Sequence, residues 1–223
     1  MKISKETLSI LKAFSSINPV MYLGDPEAIK VISSENIIGV FKCDETFDHE
    51  CVFWEWPTLL STIDSMGAEE AELDFQENFV KITSPDKSSI KYFYTPEIVI
   101  AERNPKPKPY ASYAKEVESD FDFELSTEML SKIMKISRTM GLNKLQIEMK
   151  DGAGTLSLIE DSGKVSHSYT QDIEGTGTGK INIYISTLNI IMGNYHIHAR
   201  TNLFAKFSNK DIPLFMIIAA SKA

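Results

Sequence analysis

A chain of 223 residues with 43% hydrophobic and 24% charged side chains has the apolar content of a packed protein, which excludes a disordered one. No apolar run approaches the roughly 18–20 residues that cross a bilayer, and two cysteines, Cys43 and Cys51, are too few for a disulfide framework at this length. The formal net charge of −8 argues at first against a nucleic-acid partner. Met1 to Ile10 carries lysines and a glutamate at helical spacing instead of an apolar stretch with a cleavage site, so no signal peptide is expected. These features read as a soluble protein of a reducing cytosol, with one large domain or two of about 110 residues.

The first predicted element is a helix. Ser4 precedes it as a cap and Glu6 lies in its first turn, where a carboxylate suits the helix dipole. Helical spacing puts Lys5, Ser9, Lys12 and Ser16 on one stripe and Leu8, Leu11 and Phe14 on another. After Asn18-Pro19, strands are expected at Val20 to Leu23, Ala28 to Ile32, Ile37 to Lys42 and Glu50 to Trp54. A helix starting around Pro57 and ending at Gly67 follows, then strands at Ala71 to Phe75, Phe79 to Thr83 and Ser89 to Tyr94. Glu97 to Glu102 is read as one more strand.

Pro105, Pro107 and Pro109 alternate with Lys106 and Lys108, which no helix or central strand accommodates. The segment reads as an extended connector at a domain boundary, giving domains 1–103 and 119–223 joined by residues 104–118. The second half then repeats the first. With an offset of 122, Ile3-Ser4-Lys5-Glu6 falls on Leu125-Ser126-Thr127-Glu128, opening a helix from Ser126 to about Met140. Its exposed face should carry Lys132, Lys135 and Arg138, opposite Met129, Ile133, Ile136 and Met140. Strands are expected at Lys144 to Met149, Thr155 to Ile159, Val165 to Tyr169 and Lys180 to Ile185, and a short helix at Ser186 to Met192. Tyr195 to Ala199, Leu203 to Phe207 and Leu214 to Ala219 complete an order shared by both halves, which argues an internal duplication. Charge is segregated too. Residues 1–103 hold nine Lys and Arg against eighteen Asp and Glu, whereas residues 104–223 hold fourteen against thirteen. Within the acidic half, the opening segment still contributes Lys2, Lys5 and Lys12 against Glu6 alone.

Motifs for chemistry are weak. Gly175-Thr176-Gly177-Thr178-Gly179-Lys180 has the wrong spacing for a phosphate loop and precedes a strand, so a flexible connection between strands is expected. His196 and His198 alternate on a strand and point the same way, yet no third metal ligand is suggested nearby, and the pattern fits a half-exposed strand. Cys43, His49 and Cys51 match no zinc spacing. Without a nucleophile elbow, a carboxylate signature or a cofactor turn, the chain is expected to be no enzyme, with no cofactor and no metal. The two basic helix faces remain. They lack the arginine or asparagine array that reads bases, so they suit phosphate contact without sequence preference.

These residues resemble a family, the sliding clamps (DNA polymerase processivity factors) of T-even-type bacteriophages. The resemblance rests on Met-Lys-Ile-Ser-Lys-Glu-Thr running to Leu11-Lys12-Ala13-Phe14 and Ile17-Asn18, on Pro105, Pro107 and Pro109 with Ala111-Ser112, and on Met192-Gly193-Asn194-Tyr195 and Ala205-Lys206-Phe207. It implies an α+β fold of two similar DNA-clamp domains, each with two helices packed on antiparallel sheets. It further implies a head-to-tail homotrimer ring around double-stranded DNA, placed there by an ATP-dependent clamp loader and holding the DNA polymerase, with a part in late transcription. The setting would be the cytoplasm of the host cell, with no membrane partner. Lys2, Lys5 and Lys12 of the opening segment would face DNA; Lys132, Lys135 and Arg138 join them by the internal repeat. The connector implies a partner-peptide pocket near Pro107, Pro109 and Tyr110. The competing reading is a two-domain β-rich protein-interaction scaffold that does not encircle DNA.

Overall fold

The structure is a computed structural model that describes residues 1–33, 37–47, 49–99, 104, 106–160, 167–188 and 192–221. The chain divides into two compact units, Met1–Ser34 with Gly39–Ala114, and Glu35–Ile38 with Lys115–Ala223. The Pro-rich segment thus clusters with the first unit.

The first unit opens with α1 (Lys5–Ile17), then β1 (Met21–Leu23), β2 (Ile29–Ile32), β3 (Ile37–Phe41) and β4 (Cys51–Phe53). Helix α2 (Trp56–Ser65) leads to β5 (Glu72–Phe75), β6 (Phe79–Thr83) and β7 (Ser89–Phe93). The strands are ordered β4-β1-β2-β3 in one sheet and β5-β6-β7 in another. Leu8, Leu11 and Phe14 are buried, as the helical spacing predicts, together with Thr7 and Ile10. The α2 indole closes over α1: Trp56 Nε1 donates to the Leu11 carbonyl at 3.3 Å, and its ring sits 5.3 Å from that of Phe53. Pro57 lies in the first turn of α2, and Gly67 follows its end at φ +107°, a conformation glycine adopts without a Cβ penalty. One expectation fails. Glu97–Val99 is a single 3₁₀ turn, not a strand, because Val99 N–H bonds back to the Pro96 carbonyl; residues 100–102 lie outside the described residues.

The second unit is one antiparallel sheet with a helix. Its elements are β8 (Phe121–Leu125), α3 (Thr127–Met140), β9 (Lys144–Lys150), β10 (Ala153–Ile159), β11 (Tyr169–Gly177), β12 (Gly179–Tyr184), a 3₁₀ turn at Ile185–Leu188, β13 (Tyr195–Arg200), β14 (Phe204–Asn209) and β15 (Leu214–Ala219). The strand order is β12-β9-β10-β11-β8-β13-β14-β15. Strand β8 escapes the sequence pattern because aspartate and glutamate, both depleted in strands, alternate with its buried Phe121, Phe123 and Leu125. The short helix expected at Ser186 to Met192 is a 3₁₀ turn as far as the described residues go; residues 189–191 lie outside them.

Three further readings are corrected. The Gly-rich run is not a flexible connection: β11 continues to Gly177 and β12 starts at Gly179. A Cβ on Gly175 would stand 2.1 Å from the Asp122 carbonyl oxygen, and one on Gly177 (φ +79°) 2.1 Å from that of Asp120. Glycine therefore lets β11 close onto β8. Of the strand expected at Val165 to Tyr169, residues 165–166 lie outside the described residues, and β11 starts only at Tyr169. On α3 the buried stripe is Leu130, Ile133 and Ser137, whereas Met129 and Ile136 are half-buried and Met140 is 40% exposed. Ser137 enters the core because its hydroxyl donates to the Leu142 carbonyl at 2.6 Å. Among the described residues, no helix is long and apolar enough to cross a membrane.

Candidate nucleic-acid interface

Each unit carries a candidate face on one helix, α1 in the first and α3 in the second, and the two helices begin alike. Ser4 Oγ accepts the Thr7 amide at 3.2 Å, and Ser126 Oγ accepts the Met129 amide at 3.1 Å, satisfying orphan donors at each N-terminus. In α1 the cap is doubled by a carboxylate from the β3–β4 loop. Glu45 accepts the Ser4 N–H at 2.5 Å and the Thr7 hydroxyl at 2.7 Å. Partial burial would raise the Glu45 pKa, but these hydrogen bonds outweigh it and hold the carboxyl below its usual value.

The stripe Lys5, Ser9, Lys12 and Ser16 is exposed. Its charges differ in their surroundings. Lys12 pairs with Asp64 at 2.7 Å, and Lys2 pairs with Glu70 at 3.2 Å. Lys5 has no ion pair among the described residues. On α3, Lys132, Lys135 and Arg138 are all exposed. The Lys132 ammonium lies 5.4 Å from the centre of the Tyr169 ring, a cation–π distance. Lys135 and Arg138 have no ion pair among the described residues, and Arg138 in the last turn complements the helix dipole. Such a face can hold phosphate oxygens through mobile cations but has no fixed fork for base edges.

The connector forms a second feature in the first unit. A prolyl nitrogen donates nothing, so the segment is fastened largely through its carbonyls. Tyr22 donates to Asn104 O at 2.7 Å and Lys30 Nζ to Lys108 O at 2.8 Å. The buried Lys30 also forms an ion pair with Asp25, whose carboxylate accepts the Tyr110 N–H at 3.0 Å. Pro107 and Pro109 then line a cavity of about 460 Å³ with Tyr22, Leu23, Pro26 and Lys106. Tyr110 does not line this cavity; its amide anchors the wall instead. In the sequence, Gly24-Asp25-Pro26 has the composition of a turn, and its carboxylate beside the proline is the signal that could tie it to the connector.

The remaining candidates also resolve. Burial foremost pushes the Cys43 thiol up to about 11 and the Cys51 thiol up to about 12, so neither supplies a thiolate at neutral pH. The reading that no third ligand stands near His196 and His198 is overturned. Strand β8 places Asp122 and Glu124 directly opposite them.

No protein-family model matches the chain. The sliding clamp of Vibrio phage KVP40 is 24% identical over 226 residues, covering 99% of this chain and 100% of that protein. The sliding clamp of Escherichia phage RB69 is 24% identical over 234 residues, covering 99% and 97%. In fold, the chain superposes on a PCNA from A. fulgidus, solved with the C-terminal region of FEN-1 bound, at a TM-score of 0.68 over 97% of this chain and 95% of that one; identity is 12%. The chain is thus similar in sequence, from end to end, to the sliding clamps of T4-like bacteriophages, and it has the clamp fold.

Proposed function

We propose that this chain is the subunit of a homotrimeric ring that encircles double-stranded DNA without sequence preference and tethers the replicative DNA polymerase. It would work at the phage replication fork in the host cytoplasm. The observation that carries the reading is the matched pair α1 and α3. Each is capped by a serine, is followed by four strands, a helical segment (α2 in the first unit, a 3₁₀ turn in the second) and three strands, and exposes cations on its outward face. Residues 1–103 and 119–223 are then duplicated clamp domains joined by the connector 104–118.

In this reading Lys2, Lys5, Lys12, Lys132, Lys135 and Arg138 face the duplex. Their contacts must stay weak, because a tight phosphate grip would stop sliding while topological closure alone prevents escape. The ion pairs of Lys2 and Lys12 suit that need. The acidic remainder of the first unit repels DNA elsewhere. The connector cavity at Pro107 and Pro109 would take a short peptide from the polymerase; the A. fulgidus PCNA was solved with the C-terminal region of FEN-1 bound to it. An ATP-dependent loader would open the ring, and the same surface would serve late transcription. The chain itself would perform no covalent step.

The test is the mass in solution at micromolar concentration. A mass of about three times 25.1 kDa supports the ring. A persistent monomer that does not stimulate the polymerase would favour the protein-interaction scaffold.

A further inference from the structure

The outward face of the β8–β13 pair gathers metal-ligating side chains that DNA encirclement does not use. His196 and His198 leave β13 on one face, and the antiparallel register sets Glu124 opposite His196 and Asp122 opposite His198. His196 Nδ1 lies 2.8 Å from Glu124 Oε1, and His198 Nδ1 is hydrogen-bonded to Asp122. The two imidazoles meet edge to face, with ring centroids 4.4 Å apart. One ligand atom from each of Asp122, His196 and His198 lies within 4.8 Å of the other two, and all three residues are half-buried.

We propose that Asp122, His196 and His198 form a binding site for a divalent transition-metal ion of the zinc class. Two imidazole nitrogens and one carboxylate suit zinc, nickel or cobalt; magnesium and calcium require sets made of oxygen. With zinc–nitrogen bonds of about 2.0–2.1 Å, tetrahedral ligand atoms stand roughly 3.3–3.5 Å apart. Closing onto an ion therefore asks each side chain to move by about 1 Å or less, which rotation of half-exposed side chains supplies. The ion would take the place of the direct His198–Asp122 hydrogen bond and leave a fourth position to water.

The surroundings are those of a supported site. Glu124 accepts from His196 Nδ1 and so presents Nε2 outward, the carboxylate–histidine relation that orients metal ligands. Lys210 fixes Glu124 from the other side at 2.9 Å, and Ser119 donates to Asp122 Oδ2 at 2.9 Å. Two ammonium groups weaken the attraction for a cation: that of Lys210, and that of Lys206, which stands opposite His198 but lies over the Phe215 ring. An affinity in the micromolar range is expected. The proposal stands apart from the ring reading, since none of its residues is among those placed on the DNA face.

Zinc titration of the full chain by calorimetry or equilibrium dialysis tests it. One ion per chain is expected, with no response to magnesium. His198→Ala, His196→Gln and Asp122→Asn should each weaken binding at least about 10-fold, and Glu124→Gln about 10-fold as an orienting partner. Circular dichroism checks that each variant is folded, and the double variant Cys43→Ser, Cys51→Ser should bind as the unaltered chain does. Cobalt in the unaltered chain should give the visible bands of a tetrahedral nitrogen–oxygen site without thiolate charge transfer. Absence of zinc binding at millimolar metal, or binding that survives both histidine substitutions, would overturn the proposal.

Discussion

Lys12 on α1 and Asp64 on α2 form an ion pair, Nζ to Oδ2 at 2.7 Å, on the surface that the clamp reading turns towards DNA. Both side chains are nearly half exposed, so the pair contributes at most about 1 kcal/mol and is screened by salt. Asp64→Asn should change stability by no more than about 0.5 kcal/mol. It should also free a cation for phosphate, steepening the salt dependence of DNA association by about one unit. Lys12→Glu should shift that slope the other way. A titration of DNA affinity against salt reads both, and an unchanged slope in both variants would leave Lys12 a merely solvated lysine.

The unpaired cations bear more directly on DNA. Lys5→Glu combined with Lys135→Glu should leave thermal unfolding and the solution mass unaltered while abolishing processive synthesis. Primer extension with a trap for free polymerase measures this. Full processivity in the double variant would count against both helices as the DNA face.

Glu45 gives α1 a pH-dependent cap. Its carboxyl is held below the usual value in the folded chain, so its stabilisation is complete above the ordinary carboxylate pKa and fades as pH falls through the depressed one. Glu45→Gln should cost about 1 kcal/mol at neutral pH and progressively less in acid. Denaturant unfolding at several pH values gives the comparison. A constant difference across the acid range would contradict the assignment.

Lys30 and Asp25 hold the connector from below. Lys30→Met leaves the half-buried Asp25 carboxylate without its cation; breaking a fully buried pair costs about 3–5 kcal/mol, so a loss somewhat below that is expected. The loss should be smaller in the double variant Lys30→Met, Asp25→Ala, with the connector more open to proteolysis in both. Limited proteolysis near Lys106 and Lys108 reports the second effect directly.

The glycines of β11 give a sharper contrast. Gly175→Ala puts a methyl against the Asp122 carbonyl and should cost upward of about 1–3 kcal/mol. Gly141→Ala, at φ +69° with nothing within 4 Å of the added carbon, should cost only about 1 kcal/mol. Equal losses would mean that β11 does not depend on close approach to β8.

Much of this architecture was legible because each signal was local. Ser4 and Ser126 as caps, Pro57 in a first turn, and the alternation of Tyr195 to Arg200 follow from side-chain chemistry within a few residues. What was hidden depends on distant partners. Phe121–Leu125 becomes a strand because β11 and β13 flank it, and Asp122 becomes a neighbour of His198 only through that pairing. The glycine run reads as a loop until the Asp120 and Asp122 carbonyls are brought against it. Likewise, Lys12 looked like a free cation because Asp64 is 52 residues away. The candidate DNA face was therefore visible as a pattern, whereas its balance of paired and unpaired charge was not.

The central claim is that the chain holds DNA by enclosing it, and one measurement addresses this directly. Clamp loaded onto nicked circular DNA is challenged with moderate salt before and after the circle is cut once. The expected result is retention on the intact circle at salt concentrations that abolish phosphate contacts, followed by release on linearisation. Equal loss from circular and linear DNA, with the trimer intact, would contradict it.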